Sequence, residues 1–368
     1  MTGRIIHIDT AKSWRGGQQQ AAYLHEGLLH RKIDSLMVCP EHSAMALWCR
    51  ERRYPVQTLP LCCEADIVSA LRLARIVKRS GRCILHAHNA HAMTLALMAK
   101  LRGEKKQAAV IASRRVDFPL KSHPWVRWKY RTSLLDKIVC VSHEIQRVMQ
   151  YQGIPENTLR VIPSGIDIHT FDTLKQNPAF REEWHIPTDH KIVCTVAAMT
   201  GEKDYPTFLE AAKRVIQAYP KVHLMAVGDG KQLASIKALA DHKGLQDHLV
   251  FTGFRRDVGW FLKNSDLFVL ASKKEGLGTS ILDAEAAGLA VIGTDAGGIP
   301  EVIRHGENGL IVPRQNPEAL SHAILSLLRD DEKRKEFGKK SLDLVRNFDI
   351  ALTVEKHIGL YEEILKTY

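Results

Sequence analysis

The chain has 368 residues, 45% of them hydrophobic and 25% charged, which excludes a disordered or fibrous chain and leaves room for two globular domains. It contains no run of about 18 apolar residues that could span a bilayer. Its first residues lack the apolar core of a signal peptide, and seven cysteines without metal-ligand spacing point to reduced thiols and a cytoplasmic setting. The net charge of +11 is uneven: residues 1–165 hold 26 Lys+Arg against 12 Asp+Glu (+14), the remainder 26 against 29 (−3). A basic first half suits an anionic partner, either a phosphorylated or acidic acceptor or an anionic membrane face, and a merely solvated basic surface accounts for it equally well. No nucleic-acid motif is present, so that partner ranks last.

In chain order, Arg4 to Asp9 alternates as a strand. A loop ending in Arg15-Gly16-Gly17 leads to a helix from about Gln18 to His30. The absence of a full Gly-x-Gly-x-x-Gly fingerprint argues against a dinucleotide site. Ser35 to Cys39 reads as a second strand and Asp66 to Lys78 as a helix. Ile84 to His91 is a strand whose exit is crowded with His86, His88 and His91. Alternation puts His86 and His88 on one face, so a ligand contact, a buried structural role and a metal site are the three readings, the last with an incomplete ligand set. Ala108 to Ser113 is a buried strand followed by Arg114 and Arg115, which could hold an acceptor phosphate or carboxylate or pair in a solvated loop with Asp117.

Residues 121–131 mix Lys121, Arg127, Lys129 and Arg131 with Trp125, Trp128 and Tyr130. That composition suits a membrane interface, but Trp125, Trp128 and Leu135 also fit a helix face turned to the core, and internal packing is the preferred reading. Lys137 to Ser142 is a strand, and Pro163-Ser164-Gly165 punctuates the end of the first domain.

The second half again alternates strands and helices, which implies parallel sheets. After the strand Lys191 to Ala198 comes Gly201-Glu202-Lys203-Asp204, where a lysine at a strand–helix junction can neutralise a diphosphate. Val222 to Val227 ends in Gly228-Asp229-Gly230. Val250 to Thr252 leads to Phe254 and Arg255, each flat enough to stack on a base. The strand Leu267 to Leu270 runs into Glu275-Gly276-Leu277-Gly278-Thr279-Ser280, a glycine-rich turn opening a helix that Thr279 or Ser280 could cap. A helix N-terminus at a strand's carboxyl end suits a phosphate, although such a turn can also be an ordinary crossover.

Glu275 and Asp283, eight positions apart and followed by an alanine-rich helix, and Gly-Gly-Ile-Pro-Glu-Val at 297–302 resemble the group 1 (family 4) retaining glycosyltransferases. The resemblance implies an α/β chain of two Rossmann-like domains facing across a cleft, the GT-B architecture. It divides the chain into an acceptor domain over 1–166, a nucleotide-sugar domain over 167–348 and a helix over 349–368 that returns to the first domain. It places Glu275, His88 and Lys203 as catalytic. The donor would be held by Gly16, Gly17, Gly228, Phe254, Arg255, Gly276, Leu277, Gly278, Thr279, Ser280 and Asp283, the last an aspartate where the family has the longer glutamate. Arg114 and Arg115 would take the acceptor. The family often has an arginine where this chain has Ala198, which leaves Lys203 as the single cationic clamp. No cofactor or metal is expected beyond a nucleotide-diphosphate sugar as donor. The acceptor would be a glycan, a lipid-linked sugar or a small anion of cell-envelope synthesis, met in the cytoplasm or at the inner membrane face. Rival readings are a nucleotide-sugar epimerase on this scaffold and a catalytically silent nucleotide-sugar-binding module.

Overall fold

A computed structural model describes residues 3–64, 66–102, 107–120 and 123–368; Lys121 of the basic and aromatic stretch lies outside the described residues. The chain divides into two compact units, Met1–Gly165 with Ile350–Tyr368, and Ile166–Asp349.

The first unit is built on β1 (Arg4–Ile8), β2 (Ser35–Cys39), β3 (Val56–Thr58), β4 (Cys83–Ala87), β5 (Ala108–Arg114), β6 (Lys137–Cys140) and β7 (Leu159–Val161). They form one parallel sheet in the order β3-β2-β1-β4-β5-β6-β7. The central strands are buried on both faces and mostly apolar, His7 and His86 apart, and all five residues of β4 are buried, as expected where crossover helices cover both sides of a parallel sheet. The helix Ala44–Glu51, capped by Ser43, and the short strand β3 lie outside the elements the sequence predicts. The closing helix Ile350–Leu365 packs Val354, Leu360, Tyr361 and Ile364 into the core with Ile5, Leu24, Ile84 and Ile111. Its neighbour is the helix Gly16–His30, where a Cβ on Gly27 would stand 2.6 Å from Val354 Cγ2. Glycine lets the two helices approach there.

The helix Pro124–Arg131 corrects one expectation. Trp125 and Trp128 are not core residues: each is 41% exposed, and their rings stack on each other with centroids 4.7 Å apart. Residues three apart share a helix face, and the face turned inward carries Lys129 and Tyr130 instead. Leu135 does reach the core.

The second unit has β8 (Lys191–Val196), β9 (Val222–Val227), β10 (Leu249–Gly253), β11 (Leu267–Leu270), β12 (Ala290–Thr294) and β13 (Gly309–Val312), all parallel, in the order β10-β9-β8-β11-β12-β13. Its core joins Val193, Leu224, Val269 and Ile292 to Phe208, Leu209, Ile324 and Leu327 from the helices. In each unit the strand order reverses beside its first strand, at β1/β4 and at β8/β11. A crevice opens at the carboxyl ends of the strands on either side of such a point, and ligands of open α/β sheets bind there.

Candidate functional site

In the second unit the switch point gathers residues far apart in sequence. Lys203 ends a single 3-10 turn, Gly201–Lys203, after β8, and Asp204 follows in the left-handed region at φ 49°. Glu275 follows β11. The Lys203 Nζ donates directly to Glu275 Oε2, and Ser272 Oγ donates to the same oxygen at 3.2 Å. The two loops are tied again by Lys273 N to Glu202 O at 2.7 Å and by Lys273 Nζ to the buried Asp204 carboxylate at 3.1 Å. A third loop joins through Thr294 Oγ1 to Ser272 O at 2.6 Å and Gly298 N to Glu275 O at 3.2 Å. Three strand ends are thereby fastened around one ion pair.

Gly276, Leu277 and Gly278 then turn the chain into the helix Thr279–Ala286. The cap is Gly278, at φ 93°, and neither Thr279 nor Ser280 caps the helix, contrary to the expectation above. Both already sit inside the first helical turn, so their hydroxyls cannot reach back as a cap side chain does. The helix has no side-chain cap and no acid in its first turn, so its amide N–H groups and positive dipole end are left to an anion. Asp283 lies one turn further on. It is half-buried by its surface, and the protein around it pushes its carboxyl up to about 7; it accepts no hydrogen bond among the described residues. Glu285 is wholly buried with one oxygen on Asn308 Nδ2 at 2.7 Å.

Gly228 serves packing. At φ 143° a Cβ there would lie 2.1 Å from Ala197 O, and its N–H bonds Gly253 O at 2.9 Å, joining the ends of β9 and β10. Phe254 is 56% exposed, whereas Arg255 is held by both oxygens of Asp257, at 2.9 and 2.6 Å. Of the two candidate stacking groups, Phe254 is the uncommitted one.

In the first unit the loop after β1 and the exit of β4 meet at a buried polar network. Arg115 donates to His88 O at 3.0 Å and approaches His88 Nδ1 at 3.2 Å. A guanidinium only donates, so Nδ1 accepts, and the proton of neutral His88 sits on Nε2. That N–H donates to His7 Nδ1 at 2.9 Å, which places the His7 proton on its Nε2, a buried atom with no partner among the described residues. His86 is occupied at both nitrogens, by Tyr361 OH at 2.6 Å and Ser113 Oγ at 2.8 Å. Burial, then the neighbouring imidazoles and Arg115, hold His7, His86 and His88 well below the usual imidazole range, and burial lowers Arg115 to about 10.

His7, His86 and His88 bring ring nitrogens within 4.8 Å of one another. They could ligate a metal only by giving up these hydrogen bonds, next to a guanidinium, so the donor set fits a neutral network better than a cation. Asp9, wholly buried, accepts from Ala11 N at 2.8 Å and Gln18 Nε2 at 3.0 Å. Gly16 and Gly17 open the helix Gly16–His30, and Gly17 faces the Arg115 side chain. Arg114 and Arg115 reach different partners: Arg114, the last residue of β5, is buried with its guanidinium on Phe118 O, whereas Arg115 holds His88.

Two family models divide the chain between them. Residues 14–170 match Glycosyltransferase Family 4, and residues 176–343 match Glycosyl transferases group 1. The chain belongs to the group 1 glycosyltransferases.

Its relatives agree with that membership. The N-acetyl-alpha-D-glucosaminyl L-malate synthase of Bacillus anthracis is 26% identical, over 82% of this chain and 80% of its own length. The UDP-Gal:alpha-D-GlcNAc-diphosphoundecaprenol alpha-1,3-galactosyltransferase of Escherichia coli is 22% identical, over 98% and 97%. Among solved structures, Anabaena Alr3699/HepE in complex with UDP and glucose superposes with a TM-score of 0.84 at 17% identity, over 98% of this chain and 100% of that one. The fold of this glycosyltransferase is GT-B. Motif reading passed over His7, Asp9 and Gln18, because each looks like an ordinary strand or helix residue until β1 and β4 are paired side by side, with His7 opposite His86. It also missed Lys273, whose ties to Glu202 and Asp204 exist only once β8 and β11 are neighbours. Among the described residues, no helix is long and apolar enough to cross a membrane.

Proposed function

We propose that this glycosyltransferase moves a sugar from a nucleotide-diphosphate sugar to an anionic or lipid-linked acceptor of cell-envelope synthesis, with retention at the anomeric carbon and without a divalent ion. The reading rests on one observation: Lys203 and Glu275 meet at the β8/β11 switch point beside the uncapped N-terminus of Thr279–Ala286. The diphosphate lies against the N–H groups of Gly278, Thr279 and Ser280 and the Lys203 ammonium, which has donors beyond the one given to Glu275. Glu275 orients the sugar hydroxyls, Asp283 takes the ribose, and Phe254 stacks on the base. As the bond from the anomeric carbon to the phosphate oxygen breaks, its electron pair goes to the diphosphate, where these cationic and dipolar groups stabilise it. The acceptor oxygen bonds to the same face of the sugar, and its proton passes to the departing phosphate oxygen.

The first unit takes the acceptor, with Arg115 at its polar network. His88 acts by shaping that wall, since both of its nitrogens are engaged. One relative's name carries L-malate and another's a diphosphoundecaprenol-linked sugar and an alpha-linked product. Both acceptors are anionic, as the basic first half of this chain would favour. The exposed Trp125 and Trp128 with Arg127 favour peripheral contact with an anionic bilayer at its inner face.

The test is radiolabel transfer from a panel of uridine- and guanosine-diphosphate sugars. Glu275→Ala is expected to lower transfer about a hundredfold or more with circular dichroism unchanged. A folded, fully active variant would remove the assignment.

A further inference from the structure

The first unit holds a groove that the proposed transfer does not use. Its volume is about 290 Å³, and it is lined by Arg4, Arg72, Arg75 and Arg79 together with Gln57 and Thr58. Arg4 opens β1 and Asp9 follows its end, so the groove begins about 16 Å along the strand from the Asp9 network.

The charge in this groove is not balanced from within. The helix Ile67–Ser80 contains Arg72, Arg75, Lys78 and Arg79 and no acid. Arg72, Arg75 and Arg79 are exposed, and none forms an ion pair among the described residues; Arg4 alone has a carboxylate, Asp34, at 2.8 Å. Spacings of three and four put the three helix arginines on one face, where like charges oppose helix formation. Arg79 near the C-terminus complements the helix dipole; Arg72 and Arg75 in the middle gain nothing from it. Guanidinium forks match phosphate oxygens bidentately. The volume sits at the lower end of the range of about 300–1,000 Å³ for small-molecule sites, so the occupant is compact.

We infer that this groove binds a small polyanion carrying two or more phosphate groups, either as a soluble molecule or as a lipid headgroup. Four guanidiniums exceed what a single carboxylate can satisfy, and Gln57 and Thr58 add uncharged donors at the rim.

The experiment is titration calorimetry of the whole chain with pyrophosphate at fixed ionic strength, repeated by co-sedimentation with phosphatidylcholine vesicles containing phosphatidylglycerol. Pyrophosphate can also enter the Lys203 site, so the informative comparison is between variants. R72Q/R75Q/R79Q is expected to weaken one saturable site by about tenfold or more. R50Q/R53Q/R102Q, which removes the same charge from exposed positions of this unit, is expected to keep it. Loss with both probes points to a headgroup and loss with pyrophosphate alone to a soluble phosphate; either supports the site. Equal binding by wild type and R72Q/R75Q/R79Q, equal weakening in the control variant, or no saturable binding in the wild type would overturn it.

Discussion

Glu285 shows how one carboxyl can be read two ways. Two positions past Asp283, it is turned about 200° round the helix, away from the face that carries Thr279 and Asp283. It is fully buried, one oxygen is bonded to Asn308 and the other has no partner among the described residues. Burial raises its carboxyl well above the ordinary glutamate value, against the opposing pull of Asn308. The folded state therefore keeps a proton that the unfolded chain releases near pH 4.3. Between those two values the native state binds more protons, so stability falls as pH rises through that window. Glu285→Gln keeps the shape and removes the titration. Thermal unfolding from pH 5 to 8 is expected to show a higher Tm for the variant at the alkaline end and a flatter profile. A variant as pH-dependent as the wild type would show that this carboxyl is not the source.

At the scale of an element, the turn into Thr279–Ala286 carries the donor side of the site. Gly278 sits at φ 93°, and a Cβ there would meet Ile281 Cδ1 at 3.0 Å. Gly278→Ala is expected to cost about 1–2 kcal/mol for the left-handed backbone alone, read as a lower Tm, and to weaken donor binding because the amide groups move with the turn. Unchanged stability and transfer would mean that the turn tolerates a side chain. The helix Pro124–Arg131 makes a separate prediction: W125A/W128A should lose co-sedimentation with anionic vesicles while transfer to a soluble acceptor persists, since both rings are exposed and neither stands in a core cluster. Vesicle binding equal to wild type would dismiss a membrane role for that pair.

For the whole molecule, the chain's last segment belongs with its first residues. Val354, Leu360, Tyr361, Ile364 and Leu365 complete the core of the first unit, and Tyr361 closes the His86 hydrogen bond. The core of the second unit contains none of them. Ending the chain at Asp349 should erase the first unit's transition in calorimetry and leave that of the second. Two surviving transitions would show that the closing helix is dispensable.

Much of this protein is legible in its sequence. The apolar run Leu267–Leu270 matches its strand residue for residue, because a strand buried on both faces favours apolar residues, and Val222–Val227 matches as well with His223 as its one polar residue. The glycine-rich turn at 276–278 was visible for the same local reason: only glycine relieves such a backbone at no cost. What the tertiary structure alone decided is pairing across distance. Lys203 and Glu275 are 72 positions apart and meet only because β8 lies beside β11. His7 becomes part of the His88 network only because β1 lies beside β4. Trp125 and Trp128 stay exposed because Tyr130 and Lys129 took the inward face. Periodicity reports which residues share a face of one element; which elements adjoin is set by how the sheets assemble, and the chemistry of this site is made at those joins.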